Sequence, residues 1–149
     1  MEAIIFVGVQ GAGKTTFYRE RFFDTHVRIS LDMLKTRERE RTLVTACLAS
    51  KQPFVIDNTN PTAEDRARYI PAARAAGFRI AGYFFETTLK EAISRNNQRT
   101  GKSKIPPAAI GGTLKKLQPP TVEEGFDEVH RVRVREDGSF EVSPSGGAS

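Results

Sequence analysis

The stretch GVQGAGKT at residues 8–15 constrains this chain more than any other. It fits G-x-x-x-x-G-K-[ST] at every fixed position. An apolar, β-forming run, AIIFV, precedes it, and TFYRERFF follows with helical character. A glycine-rich turn between a strand and a helix gathers backbone N–H groups around an anion, and the helix start adds its positive dipole end. Gly8, Gly11, Ala12 and Gly13 form the turn, and Lys14 is placed for β- and γ-phosphates. Thr15 and Thr16 open the helix, with the Thr15 hydroxyl placed as a Mg²⁺ ligand. The expected ligand is a nucleoside triphosphate, foremost ATP with Mg²⁺. The motif leaves open whether water, a protein or a small molecule receives the phosphate.

The rest of the chain repeats the strand–helix alternation. Strand signals fall at 3–8, 27–30, 53–58, 78–86 and 126–134. Helix signals fall at 14–22, from Asp32 to Ala49, from Thr62 towards Gly77, from a Thr88/Glu91 capping box to Arg99, and at 108–117. Pro71 should kink or split the helix that contains it. The middle of the 32–49 helix, KTRERER, is charged all round and reads as solvated. Alternating elements predict an α/β fold with a mostly parallel sheet and helices on both faces. With 149 residues the chain suits one domain, expected at 1–135, and SPSGGAS at its end reads as part of a frayed tail over 136–149. Ligands of such sheets bind beyond the carboxyl ends of the strands.

Composition narrows the setting. The only cysteine is Cys47, so no intrachain disulfide forms, and a reducing, cytoplasmic location is expected. No apolar run approaches the ~18–20 residues of a membrane span, and MEAIIFVG lacks the positive region of a signal peptide. A net charge of +5, from 23 Lys and Arg against 18 Asp and Glu, favours polyanionic partners only weakly.

Three features fall at strand ends or on the lid side of them. Asp32, in RISLDMLK, either accepts a proton from an attacking hydroxyl or caps the next helix. Asp57, in DNTNP, ends an apolar run where a Walker-B acid would hold a metal-bound water. Asn58, Thr59 and Asn60 add donors and acceptors beside it, and an Asx-type turn into Pro61 is the structural alternative. RNNQRTGKSK carries Arg95, Arg99, Lys102 and Lys104 without an acid. The two arginines share a helix face and suit a lid over a triphosphate, or else a solvated basic face. His26 and His130 read as surface or interface residues, and Cys47 as a small apolar helix residue.

Taken together, GVQGAGKTTF, SLD, VIDNTNPTAEDRARYIPAARAAGF, RNNQR with KIP, and LQPPTVEEGF resemble the 5′-hydroxyl polynucleotide kinase family over residues 8–126. The resemblance implies a three-layer P-loop kinase with a small lid, transferring phosphate from ATP to the 5′-hydroxyl of DNA or RNA. It makes Asp32 the general base, and it sets Lys14 and Thr15 on the phosphates and metal. It places Arg95 and Arg99 on the donor and Asp57, Asn58 and Thr59 at the acceptor. Some members carry Arg three residues after the base to grip an acceptor phosphate. Here Lys35 stands there, without the bidentate fork, and Arg37 is the alternative grip. No D-x-D-x-T phosphatase signature occurs, so a phosphatase or ligase step would come from another protein. Two other readings remain open: a P-loop kinase for a small hydroxylated metabolite, nucleoside or nucleotide sugar, with a closed pocket, and a slow nucleotide-binding switch. The missing N-K-x-D motif counts against a GTPase switch.

Overall fold

The computed structural model describes residues 1–97 and 105–145. Six strands form one sheet: β1 (Glu2–Val7), β2 (Val27–Ile29), β3 (Phe54–Ile56), β4 (Arg79–Phe85), β5 (Glu128–Val134) and β6 (Phe140–Ser145). Their order is β2-β3-β1-β4-β5-β6. The first five run parallel, and β6 is antiparallel to β5. β1 and β3 are apolar almost throughout because both of their faces are covered, as a parallel sheet requires.

Three helices cover one face: α1 (Lys14–Arg21), α6 (Leu89–Asn97) and α7 (Pro107–Lys116). They bury Phe17, Ala92 and Ile110 with Ile4 and Phe6. The other face lies under α3 (Arg37–Ser50) and α5 (Ile70–Ala75), which bury Val44, Cys47, Ile70 and Ala73 with Ala3, Ile5 and Val7. Two single-turn helices, α2 (Leu31–Leu34) and α4 (Ala63–Arg66), follow β2 and β3. Phe6, Phe17 and Phe85 meet edge-on with centroids 5.0–5.9 Å apart, which seats α1 against the strand that feeds the glycine-rich turn.

The structure departs from the sequence reading in three places. The 32–49 helix is two helices. Lys35, at φ 75°, ends α2, and Thr36 starts α3 by accepting from the Arg39 N–H. The KTRERER segment is not wholly solvated, because Glu40 is buried. The expected 136–149 tail instead supplies β6. There Phe140 packs on Phe17 at 5.1 Å, Val142 pairs with Val132, and Gly138 takes the positive φ of the connecting turn. Pro71 splits its helix as expected, and it sits in the first turn of α5, where its missing N–H leaves no bond unmade.

Candidate phosphoryl-transfer site

The glycine-rich turn sits at the carboxyl end of β1, the point from which successive connections leave to opposite sides of the sheet. Gly11 adopts φ 81°, and a Cβ there would lie 2.7 Å from the Ala92 carbonyl oxygen, so no other residue fits. Gly13, at φ 94°, is the residue from which α1 begins. Lys14 Nζ donates to the Gly8 and Val9 carbonyls at 3.0 and 2.8 Å, curled along the turn it serves. The DNTNP segment braces this turn from behind. The Gly8 N–H donates to the Thr59 carbonyl at 3.0 Å, and Asn60 Nδ2 donates to the Phe6 carbonyl at 2.9 Å. Thr16 is exposed at the head of α1.

Asp57 faces the turn. Its Oδ2 accepts from Thr15 Oγ1 at 3.0 Å and from Arg28 Nε at 2.8 Å, and its side chain is 2% exposed. Arg28 Nη2 also reaches Thr15 Oγ1 at 3.4 Å. The hydroxyl of Thr15 and the carboxylate of Asp57 are the hard oxygen donors that suit Mg²⁺, an ion usually held by one or two protein oxygens plus phosphates and water. Asp57 thus lies beside Thr15 at the glycine-rich turn. Arg28 escaped the sequence reading, since a lone arginine in a short strand carries no motif.

Asp32 is the second residue of α2 and lies exposed, making no hydrogen bond or ion pair among the described residues. Ser30, not Asp32, holds the N-cap position, and its hydroxyl makes no capping bond. The cap comes from the segment after β3: the Leu31 N–H donates to Asn58 Oδ1 at 2.9 Å. Asn58 Nδ2 in turn donates to Glu40 Oε2 at 2.8 Å. Glu40 also accepts from Arg37 Nη1 at 2.8 Å and from the Tyr69 hydroxyl at 3.0 Å. Burial, reinforced by the Glu40 charge, pushes the Tyr69 hydroxyl up to about 12. Arg37 is thus matched by a buried acid, whereas Lys35 projects from the end of α2 with no side-chain partner among the described residues.

On the lid side, Thr88 caps α6 by accepting from the Glu91 N–H at 3.1 Å. Arg95 Nη1 donates to the Gly11 carbonyl at 3.1 Å and to Thr87 Oγ1 at 3.3 Å, so this arginine rests on the phosphate-binding turn itself. Asn96, buried, bonds both backbone groups of Ile105 and so ties α6 to the segment before α7. Arg99, Lys102 and Lys104 lie outside the described residues.

A cleft of about 580 Å³ opens between α3 and α5, with Val44 and Tyr69 as its floor and Arg37, Arg41 and Arg68 on its walls. Beneath the DNTNP segment, Arg66 is fully buried. It pairs in two-pronged fashion with Glu124 at 2.7 and 2.9 Å and donates to the Asn60 carbonyl at 2.9 Å.

An anion cradle after the central strand, an acid on the neighbouring strand and an arginine folded over the cradle place the molecule among the P-loop nucleotide-binding proteins. Within that class the chain belongs to the AAA domain family, whose profile matches residues 4–120. Solved structures share the fold. A gluconokinase from Sinorhizobium meliloti 1021 superposes with a TM-score of 0.65 at 19% identity, over 91% of this chain and 83% of that one. Kti12 of Chaetomium thermophilum, in complex with ADP-AlF3, gives 0.63 at 15% identity, over 91% and 92%. The fold is the expected three-layer one of P-loop kinases. The chain is 30% identical over 137 residues to a bifunctional polynucleotide phosphatase/kinase of Schizosaccharomyces pombe, covering 88% of this chain and 33% of that protein. It is 28% identical over 150 residues to a putative bifunctional polynucleotide phosphatase/kinase of Acanthamoeba polyphaga mimivirus, covering 96% and 36%. The chain thus spans about a third of the length of these curated relatives. Among the described residues, no helix is long and apolar enough to cross a membrane.

Proposed function

We propose that this domain transfers the γ-phosphoryl group of ATP to the 5′-hydroxyl end of a DNA or RNA strand. Asp32 receives the proton of the attacking hydroxyl. Its exposed position on α2, with no competing partner among the described residues, leaves its carboxylate available for that task. Lys14 and the N–H groups of the glycine-rich turn hold the β- and γ-phosphates. Arg95, already resting on that turn, meets the charge that develops during transfer, a role we extend to Arg99. Thr15 and Asp57 hold Mg²⁺, which when bound neutralises charge shared by the β- and γ-phosphates. Lys35 takes the first backbone phosphate of the acceptor, and Asn58 and Thr59 shape the acceptor end of the site.

The observation that carries the polynucleotide reading is the open, arginine-walled cleft that starts two residues beyond Lys35. A small-metabolite kinase calls for a closed pocket, whereas a strand with more phosphates to follow needs an open, cationic way out. The names of the two curated relatives support the same reading. The test is incubation with γ-labelled ATP and a series of acceptors running from nucleoside to 3′-nucleotide, dinucleotide and longer 5′-OH oligonucleotides. The expected outcome is a sharp rise in kcat/KM when the first phosphate is added. Equal phosphorylation of free nucleosides or sugars would replace this reading with the metabolite kinase.

A further inference from the structure

Asp32 stands on a helix of one turn, too short to hold its own direction. The serine at its cap position makes no capping bond, and its first amide is held instead by a side chain from the DNTNP segment. The orientation of that side chain is set in turn. Glu40, 2% exposed, is acceptor-only when ionised, so the group of Asn58 that faces it at 2.8 Å is the NH₂. The amide oxygen of Asn58 is thereby turned towards the Leu31 N–H. A flipped Asn58 would set an oxygen against the carboxylate and a donor against a donor. Arg37 and Tyr69 fix the other carboxylate oxygen of Glu40, so the carboxyl plane cannot swing.

Resting on the reading of Asp32 as the base, we infer that Glu40 is a positioning residue for phosphoryl transfer. It acts through Asn58 to fix the start of α2 and with it the direction of the Asp32 carboxylate. The chain of contacts runs Arg37 and Tyr69 to Glu40, Glu40 to Asn58, Asn58 to the Leu31 amide, and one residue on to Asp32. None of these groups touches the phosphate-binding turn through the bonds named here, so the relay bears on the acceptor side and not on ATP. A misaimed base loses rate steeply, since a displacement of about 1 Å costs up to about 10²-fold.

Exchanging the two polar partners tests this without opening a cavity. Asn58→Asp alone sets two carboxylates face to face. With Glu40→Gln added, the Gln amide donates to the new carboxylate, still accepts from Arg37 and Tyr69, and leaves an oxygen for the Leu31 N–H. The expected result for Asn58→Asp is a kcat for a 5′-OH oligonucleotide lower by about 10- to 100-fold. Binding of a non-hydrolysable ATP analogue should stay within about twofold of the unmodified protein, and amide exchange across residues 31–34 should be faster. The double variant should recover most of the rate and the amide protection together. A folded double variant as slow as Asn58→Asp would overturn the relay, as would unchanged exchange at residues 31–34 in the single variant. A loss of ATP-analogue binding equal to the loss of rate would overturn it too. Absence of transfer by the unmodified protein removes the kinase reading, and the role in catalysis with it. Unchanged exchange in a protein that does phosphorylate 5′-OH ends overturns the positioning role alone.

Discussion

Asp32 and Lys35 bracket the same short helix and make opposite demands on it. Asp32 is exposed and unbonded among the described residues, so replacing it disturbs no fold contact. Asp32→Asn should leave ATP-analogue affinity unchanged while slowing transfer by about 10²–10⁴-fold, the range for a lost general base. Single-turnover kinetics beside a binding titration read the two effects separately. Lys35 is held at φ 75°, a backbone region in which a non-glycine residue costs on the order of 1–3 kcal/mol. That strain sits at the cation that the proposed function assigns to the first acceptor phosphate. Lys35→Gly should raise stability by about 1 kcal/mol, once the greater freedom of glycine in the unfolded chain is subtracted. The same change should raise the KM for 5′-OH acceptors that carry a 3′-phosphate, because the charge is gone. Chemical denaturation and acceptor kinetics on one sample check both signs.

At the scale of elements, the DNTNP segment is the hinge of the site. It gives Asp57 to Thr15, Asn58 to α2, the Thr59 carbonyl to Gly8 and the Asn60 side chain to β1. What holds the segment down is α4, through Arg66, and the turn that carries Glu124. A fully buried guanidinium paired with a carboxylate on a distant segment is costly to break, because removing one partner leaves the other charge buried. Arg66→Leu should cost about 3–5 kcal/mol, read as a lower denaturation midpoint. Arg66→Leu with Glu124→Leu should cost less than Arg66→Leu alone, since no charge is then stranded. The sequence reading counted VIDNTNPTAEDRARYIPAARAAGF and LQPPTVEEGF among the stretches that carry the family resemblance. It had no means to pair residues 66 and 124, because their contact is 58 positions apart along the chain.

At the scale of the molecule, the sheet spreads the candidate site, with the glycine-rich turn at its centre, α2 with Asp32 towards β2 and α6 with Arg95 towards β4. The cleft between α3 and α5 carries Arg41 and Arg68, both exposed, and on the proposed function it extends the acceptor side. If each meets one strand phosphate, Arg41→Ala with Arg68→Ala should flatten the log–log salt dependence of long-oligonucleotide KM by about 1.4, at about 0.7 per single-strand contact. The kinetics of a dinucleotide acceptor should not change, since such a short strand does not reach the cleft. An unchanged salt slope would remove the cleft from the strand path. The sequence by itself determined the phosphate-binding turn and the parallel α/β architecture. A contiguous motif and the period of apolar residues are local properties, and a strand buried on both faces can only be apolar. It also put Arg95 on the helix that Thr88 caps, and that arginine bonds the Gly11 carbonyl. Only the tertiary structure decided that Asp57 bonds Thr15 beside Arg28, that Glu40 is buried, that Lys35 breaks a helix, and that the chain's end is a sixth strand. Each of those outcomes depends on which distant segment supplies the hydrogen-bond partner or the apolar neighbour. A charged or alternating stretch carries no local sign of whether water or another part of the chain will cover it.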